Sequence, residues 1–272
     1  EILNTLVDLA PGPGSRHALQ REVDPHEKKF SAVVFKIQAN MDPAHRDRVA
    51  FLRICSGHFE RGMKLKIVRN GKEIRTNNAL SFLSQRRDIL DEAFPGDIIG
   101  LPNHGLLHLG DTLTEGEELQ FTGLPFFAPE IFRLVEAADP MRNKQLRTGL
   151  LQLGEEGAIQ VFRPLTGGTM LLGAFGQLQF EVVAHRLQTE YGADVRLLPA
   201  RYTMARWVSS KDPIALKKFI TENQHRMAED VVGASVFLAA HKSELDVAAQ
   251  RWEAIEFHAL REHAGLIYQT EM

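Results

Sequence analysis

Apolar and polar residues alternate along much of the first half of the chain, with the period of two that is typical of β-strands. Apolar side chains recur at every second position of residues 33–39, and again of residues 63–67. Further short runs follow as far as Phe121, separated by Gly, Pro and Asn residues. Because no helical run lies between them, the pattern predicts a closed or nearly closed β-barrel over residues 28–124.

The second half mixes helical and strand periods. Residues 130–136 alternate like a strand, and Asp139-Pro140 then supplies a helix N-cap followed by proline at the first helical position. Continued to about residue 198, the pattern reads β-α-β-β-α-β, the split ferredoxin-like unit. Asp212-Pro213 begins another helix in the same way. Apart from this second β-α-β pattern, the sequence indicates no internal repeat. The predicted fold is a multi-domain β plus α+β protein, in which an α/β C-terminal domain over residues 125–272 contains the ferredoxin-like unit.

The chain opens with a short helical pattern that has no partner of its own. Ile2, Leu6 and Leu9 share one helical face, and the sequence Pro-Gly-Pro-Gly at residues 11–14 ends the pattern. The first residue is Glu and not Met. We therefore expect residues 1–27 to be the last helix of an upstream domain followed by a linker, and the chain to be a fragment of a longer protein.

Composition narrows the class of protein. The 272 residues are 44% hydrophobic and 25% charged, which is ordinary for a globular protein and excludes a disordered, collagen-like or disulfide-rich chain. Cys55 is the single cysteine, so it cannot form an internal disulfide, and a cytoplasmic location is expected. No apolar run reaches the ~18 residues that a membrane span requires, so no membrane partner is expected.

The net charge of −3 conceals a strong segregation of charge along the chain. Residues 28–87 hold 14 basic and 4 acidic side chains, whereas residues 88–118 hold 8 acidic side chains and no Lys or Arg. The two blocks are either solvated faces without a partner, or the basic block is a local surface for a polyanion. The pattern alone does not decide between the two alternatives.

A basic hairpin is predicted around Asn70-Gly71, the dipeptide most typical of a tight type I′ turn. A projecting basic hairpin suits phosphate contacts that do not read base sequence. Charges at a sheet edge also discourage aggregation, and both interpretations stay open. A second basic stretch follows residue 195. The candidate residues are Lys64, Lys66, Arg69, Lys72 and Arg75 in the hairpin, and Arg196, Arg201 and Arg206 in the second stretch.

The sequence does not predict catalysis. Residues 57–64 nearly match a phosphate-binding loop, but Lys64 is displaced, no Ser or Thr follows it, and strands flank the segment. The Cys55/His58 and His104/His108 pairs have metal-like spacing without a second pair to complete a site. We therefore expect no catalytic residue, no nucleotide-binding residue and no metal site in this chain.

Several segments occur in the order found in translational GTPases. The segments at residues 33–37, 49–57, 62–65, 95–101 and 110–113 resemble the second-domain barrel of that family, and residues 173–182 resemble the third domain of the elongation factor G group. Within the family, three further stretches resemble the bacterial peptide chain release factor 3 family. They read KIQANMDP followed by HRDRVAF (residues 36–51), EEGAIQVFRP (155–164) and ARWV (205–208).

The resemblance implies a translation-factor β-barrel (domain II) followed by domain III, without the GTPase domain that binds GTP or GDP and Mg²⁺. Intact members bind the 70S ribosome and use GTP to recycle class I release factors during translation termination. Their barrel lies against small-subunit rRNA and their own GTPase domain, and their third domain contacts ribosomal protein. By matching position, Arg46 and Arg48 join the candidates for rRNA contact.

Three alternatives remain at this point. The chain is a fragment of another elongation factor G-like ribosomal GTPase, a non-catalytic adaptor that binds only protein, or an enzyme built on a ferredoxin-like domain. A protein-only adaptor would show little salt dependence in binding, because it releases few counterions. An enzyme would need a pocket with convergent polar groups.

Overall fold

The computed structural model describes residues 2–39, 48–83, 86–262 and 268–269. The chain divides into two compact units, one formed by residues 1–124 and one by residues 125–262, called here the barrel unit and the C-terminal unit. None of the described helices is long and apolar enough to span a bilayer.

The barrel unit is almost entirely β-structure. Its elements are α1 (Ile2–Leu9), β1 (Arg16–His17), β2 (Glu22–Val23), β3 (Ser31–Ala39), β4 (Arg48–Ser56), β5 (Phe59–Glu60), β6 (Lys64–Ile67), β7 (Glu73–Arg75), β8 (Leu80–Leu83), β9 (Arg86–Ile89), β10 (Glu92–Ala93), β11 (Ile98–Pro102) and β12 (Thr112–Thr114). Eight strands form an antiparallel sheet in the order β7-β6-β12-β3-β4-β11-β8-β9, and β5 pairs with β10.

The main apolar core of the barrel unit packs against one face of this sheet. Leu52 and Ile54 of β4 meet Leu65 and Ile67 of β6 in this core, and Ile74 of the edge strand β7 packs against it. The alternation within each strand explains the arrangement, because successive side chains point to opposite faces of a strand. The structure thus confirms the barrel-like β-fold expected from the alternating pattern.

Residues 16–27, here called the strap, lie on the outer face of this sheet. β1 pairs with β2, Ala18 bridges to Phe121, and Val23 is buried against Cys55. Arg21 holds the strap down by donating to Glu27 at 2.6 and 2.7 Å and to Glu117 at 2.9 and 3.1 Å. The prediction of a linker up to residue 27 did not include this packing, which depends on partners about 100 residues away in sequence.

Acid is expected to release the strap before the barrel core unfolds. The hydrogen bonds from Arg21 lower the pKa of Glu27. The ion pair between Arg21 and Glu27 therefore contributes its full stabilisation at pH values above the unfolded-state pKa of about 4.3. This stabilisation is lost as the pH falls through the lower pKa of Glu27 in the folded state. Amide hydrogen exchange, corrected for intrinsic rates, should show residues 18–27 protected at pH 6 and unprotected at pH 3. The amides of β4 should stay protected at both pH values. Arg21→Ala should show the same loss at pH 6, and equal loss in the strap and in β4 would contradict the prediction.

The C-terminal unit mixes helices and strands. Its elements are β13 (Pro125–Phe127), β14 (Ile131–Ala137), α2 (Asn143–Glu155), β15 (Gln160–Pro164), β16 (Met170–Ala174), α3 (Gln177–Tyr191), β17 (Val195–Pro199), β18 (Met204–Ser209), α4 (Pro213–Glu222), β19 (Met227–Glu229), β20 (Ser235–Ala239), α5 (Lys242–Arg251), β21 (Glu256–His258), β22 (Leu260–Glu262) and β23 (Tyr268–Gln269), with 3₁₀ turns at Pro140–Arg142 and Gln224–Arg226.

Both predicted helix starts are present. Asp139 Oδ1 accepts from the amide of Met141 at 2.9 Å, and Asp212 Oδ1 accepts from the amide of Ile214 at 2.9 Å. The predicted β-α-β-β-α-β unit runs from β14 to β17, and its strands lie in the order β17-β14-β16-β15. Numbered within the unit, this order is 4-1-3-2, with every pair antiparallel.

A second copy of this topology follows the first. The elements β18-α4-β19-β20-α5-β21 form another β-α-β-β-α-β unit whose strands also lie in the order 4-1-3-2. The two sheets join into one of eight strands because β15 pairs with β19. The sequence did not reveal the repeat, since β19 has only three residues and carries no clear alternation.

Three apolar clusters fill the C-terminal unit. One lies under α2 and α3 and includes Leu150 and Phe180, and another lies under α4 and α5 and includes Phe219. The third joins side chains of the two repeats, among them Phe162 of the first and Trp207 of the second. Since both repeats contribute to this third cluster, we expect the unit to unfold as a whole.

A buried ion pair lies beside this third cluster. Arg261 is 1% exposed, and its guanidinium donates to Asp230 Oδ2 at 2.9 Å. Trp207 Nε1 donates to the same oxygen at 3.0 Å, while two amides of the 232–234 turn donate to Oδ1 at 3.0 and 2.9 Å. The guanidinium also lies 4.5 Å from the ring centroid of Phe126 in β13. This network connects β13, β18 and β22, which are far apart in sequence.

Candidate nucleic-acid interface

The predicted basic hairpin is formed by β6 and β7 at the edge of the barrel sheet. Lys64 pairs with Arg75, Leu65 with Ile74, and Lys66 with Glu73. Leu65 is buried in the core, so the alternation of β6 turns the two lysines to the outer face, as predicted.

The turn of the hairpin differs from the prediction. The strands are joined by residues 68–72 and not by a two-residue type I′ loop. Ile67 N donates to Lys72 O, Gly71 N donates to Ile67 O, and Asn70 Oδ1 accepts from Lys72 N at 3.0 Å. Gly71 has φ of 70°, which favours glycine at this position. The prediction was wrong because the Asn side chain closes a local ring that supports a longer turn.

Two of the five hairpin cations are neutralised within the barrel unit. Lys66 forms an ion pair with Glu118. Arg69 donates to the buried carboxylate of Asp111 at 2.6 and 3.0 Å, and these bonds raise the pKa of Arg69 above its usual range. Arg69 also donates to Leu106 O at 3.1 Å. These contacts fix the base of the turn and leave the two cations poorly placed to bind an external phosphate.

The other three hairpin cations are exposed. Among the described residues no ion pair involves Lys64, Lys72 or Arg75. Lys64 and Arg75 lie directly opposite each other, and like charges in that position destabilise a strand pair. A bound phosphate would relieve this repulsion, so the structure favours these three residues as the anion-facing part of the hairpin.

The candidates in the first barrel loop are described only in part. Arg46 lies outside the described residues. Arg48 begins β4 and is half-buried. In the sheet order, β4 is three strands from β6, which corresponds to about 14 Å along the sheet at ~4.8 Å per strand.

The second basic stretch does not form one surface. Arg196 is exposed on β17, an edge strand, whereas Arg206 lies on β18, six strands away, or about 29 Å along the sheet. Arg206 shares the helix-covered face of β18 with Val208 and is half-buried. Arg201 is exposed, donates to Tyr202 Oη at 2.6 Å and lies 4.8 Å from that ring. Closeness in sequence does not bring the three arginines together.

The segment that resembles a phosphate-binding loop is a turn between strands. β4 ends at Ser56 and β5 follows at Phe59, so the segment leads from strand to strand and not from a strand into a helix N-terminus. Gly57 has φ of 72°, and a Cβ there would lie 2.5 Å from Phe30 N. The segment therefore does not fit a nucleotide phosphate. Throughout the described part of the chain, no group of three His, Cys, Asp or Glu side chains converges to hold a metal ion.

Two family models match successive parts of the chain. The model described as elongation factor G domain 2 matches residues 29–116, and the model described as class II release factor RF3, C-terminal domain, matches residues 121–249. Peptide chain release factor 3 of Nitrosomonas europaea is 65% identical over 270 residues, which cover 99% of this chain and 50% of that protein. The chain belongs to the peptide chain release factor 3 family.

Other members of the family give the same result. The Bordetella avium peptide chain release factor 3 is 65% identical over 269 residues, covering 98% of this chain and 50% of that protein. The chain thus spans about half the length of the curated relatives it matches. A crystal structure of a protein from Thermus thermophilus aligns over 78% of this chain and 30% of that chain, with a TM-score of 0.60 and 24% identity, which shows the fold alone. The resemblance to the release factor 3 family is confirmed.

Proposed function

We propose that this chain supplies the ribosome-binding part of a release factor 3. In the intact factor, GTP-dependent recycling of class I release factors from the 70S ribosome would require both these contacts and a GTPase domain. GTP or GDP and Mg²⁺ would bind that domain and not the residues described here. The observation that carries the proposal is the match of the barrel unit and the C-terminal unit to the two successive family models.

The exposed cations of the hairpin support an rRNA contact for the barrel unit. Lys64, Lys72 and Arg75 supply charge and hydrogen-bond donors at one sheet edge, which suits phosphates and carries no base sequence code. Ribosomal protein is the proposed partner of the C-terminal unit. Differential binding to two ribosome conformations would then couple these units to the nucleotide state, as for any ligand that shifts an equilibrium.

Co-sedimentation of this chain with 70S ribosomes over a range of salt concentrations tests the proposal. The logarithm of the binding constant should fall with the logarithm of salt concentration more steeply for this chain than for a variant that lacks the three cations. If each cation contacts one duplex phosphate, the two slopes should differ by about 2.7, at ~0.9 per phosphate. Absence of ribosome binding at low salt would contradict the proposed role. Binding with no dependence on salt would instead fit an adaptor that contacts only protein.

A further inference from the structure

A pocket of about 220 Å³ opens on the outer face of the barrel sheet, where the strap begins. The sheet brings its wall residues into one row, because Val33 of β3 and Ile98 of β11 both pair with Arg53 of β4. The strap adds Arg16, and the segment after β12 adds residues 121–124. The remaining wall residues are Phe35 and Cys55.

Two β-bulges shape this pocket. The pairing of β3 with β4 shifts between Ser31 and Ala32 and again between Val34 and Lys36. These shifts leave Cys55 and Phe35 without a directly opposed residue, and both line the pocket. Bulges redirect side chains and are common beside functional sites. The second bulge also breaks the alternation, so that Lys36 is exposed next to Phe35 and lies 5.6 Å from the Phe51 ring.

The pocket is cationic, since Arg16 and Arg53 are the charged residues among its described wall residues. Arg16 is exposed and Arg53 half-buried, and among the described residues neither guanidinium has an ion pair or a side-chain hydrogen bond. None of the described residues that line the pocket is acidic. Burial raises the pKa of Cys55 to about 11, against the opposing influence of the two arginines. Cys55 therefore stays a neutral thiol and forms a small apolar floor, not a nucleophile.

The size and chemistry of the pocket select the occupant. Pockets for drug-sized ligands and cofactors are usually about 300–1,000 Å³, so this one holds a single flat group. Phe35 and the half-exposed Ile98 provide an apolar wall on which a base can stack, and planar guanidinium groups match phosphate oxygens. A single unstacked nucleotide supplies both a flat base for the apolar wall and phosphate oxygens for the guanidinium groups.

We propose that this pocket binds one nucleotide of single-stranded RNA, with the base against Phe35 and the phosphates on Arg16 and Arg53. The proposal does not depend on ribosome binding by the hairpin, which lies at the β7 edge of the sheet, whereas the pocket lies over β3, β4 and β11. Sequence reasoning missed the site, because the apolar alternation of residues 33–39 is regular and gives no sign of the bulge at Phe35.

Fluorescence anisotropy with a labelled hexa-adenylate RNA tests the proposal on this chain without ribosomes. Arg16→Glu/Arg53→Glu should weaken binding at least tenfold and reduce the salt slope by about 1.4, at ~0.7 per single-strand phosphate. Phe35→Ala should weaken binding by about fivefold or more with an unchanged salt slope, because it removes stacking and no charge. Lys28→Glu/Lys29→Glu, which reverses two exposed charges elsewhere in the barrel unit, should change affinity less than threefold.

Three results would overturn the proposal. The first is that the wild-type chain does not bind the RNA, which would leave the pocket to another kind of occupant. The second is equal loss in the pocket and control variants, which shows only general charge attraction. The third is unchanged binding by Phe35→Ala. Circular dichroism of each variant verifies that it is folded.

Discussion

Asp230→Ala is expected to destabilise the C-terminal unit by about 3–5 kcal/mol, the usual cost of breaking a buried ion pair by removing one partner. Asp230 is 4% exposed, and its two oxygens accept from Arg261, from Trp207 and from two backbone amides. Without the carboxylate, the guanidinium of Arg261 stays buried beside Trp207 and loses its ion pair with Asp230. Urea unfolding followed by tryptophan fluorescence measures the loss, since both tryptophans of the chain lie in this unit.

Glu229→Ala is the matched control for Asp230→Ala. Glu229 is the preceding residue and also pairs with an arginine, Arg163, at 2.6 Å, but this pair is well exposed to solvent. Exposed pairs contribute ~0–1 kcal/mol, so the control should lose little stability. If the two variants lose the same amount, the buried network does not have the structural role assigned to it.

Phe219→Ala is expected to cost about 3–5 kcal/mol, the range for removing a buried aromatic side chain. Phe219 of α4 is fully buried and meets Phe237, Trp252 and Phe257 at ring-centroid distances of 5.4–5.7 Å. Its removal leaves a cavity that three surrounding rings cannot fill without leaving their own contacts. Urea unfolding measures the change.

Ile214→Ala on the same helix is the control for Phe219→Ala, because Ile214 is 80% exposed. It should change stability by less than about 0.5 kcal/mol, as is usual for surface substitutions. Since the two repeats share a central cluster, tryptophan fluorescence and far-ultraviolet circular dichroism of the C-terminal unit should shift together in Phe219→Ala. Separate transitions for the two repeats would contradict the single cooperative unit.

Local signals in the sequence located most of the elements. The Asp139-Pro140 and Asp212-Pro213 pairs each begin a helical segment, because the Asp side chain caps the free amides that follow it. The alternation in β3 put Val33, Phe35 and Ile37 on one face, but of these three only Ile37 lies in the core, since the bulge at Phe35 shifts the register. The alternation in β6 identified its buried face, because it depends on residues within one strand. Such features require no knowledge of distant partners.

Features that depend on distant contacts were missed. The strap is held by Arg21 on Glu117, and nothing near Arg21 in the sequence indicates this partner. The hairpin part of the candidate site was predicted as five cations, but Glu118 and Asp111 neutralise two of them. Arg196 and Arg206 were grouped because they are close in sequence, yet six strands separate them in the sheet. Contacts between residues far apart in sequence decide each of these outcomes, and the local pattern of a single sequence does not show them.

The most direct test of the ribosome contact is the affinity of Lys72→Glu/Arg75→Glu for 70S ribosomes, measured by co-sedimentation beside the charge-matched Lys28→Glu/Lys29→Glu. Both pairs are exposed in the barrel unit and free of ion pairs within the described chain, so the two variants differ only in where the charge is reversed. We predict at least a tenfold loss of affinity for the hairpin variant and less than a threefold change for the control. Equal affinities of the two variants would contradict an rRNA contact through the hairpin.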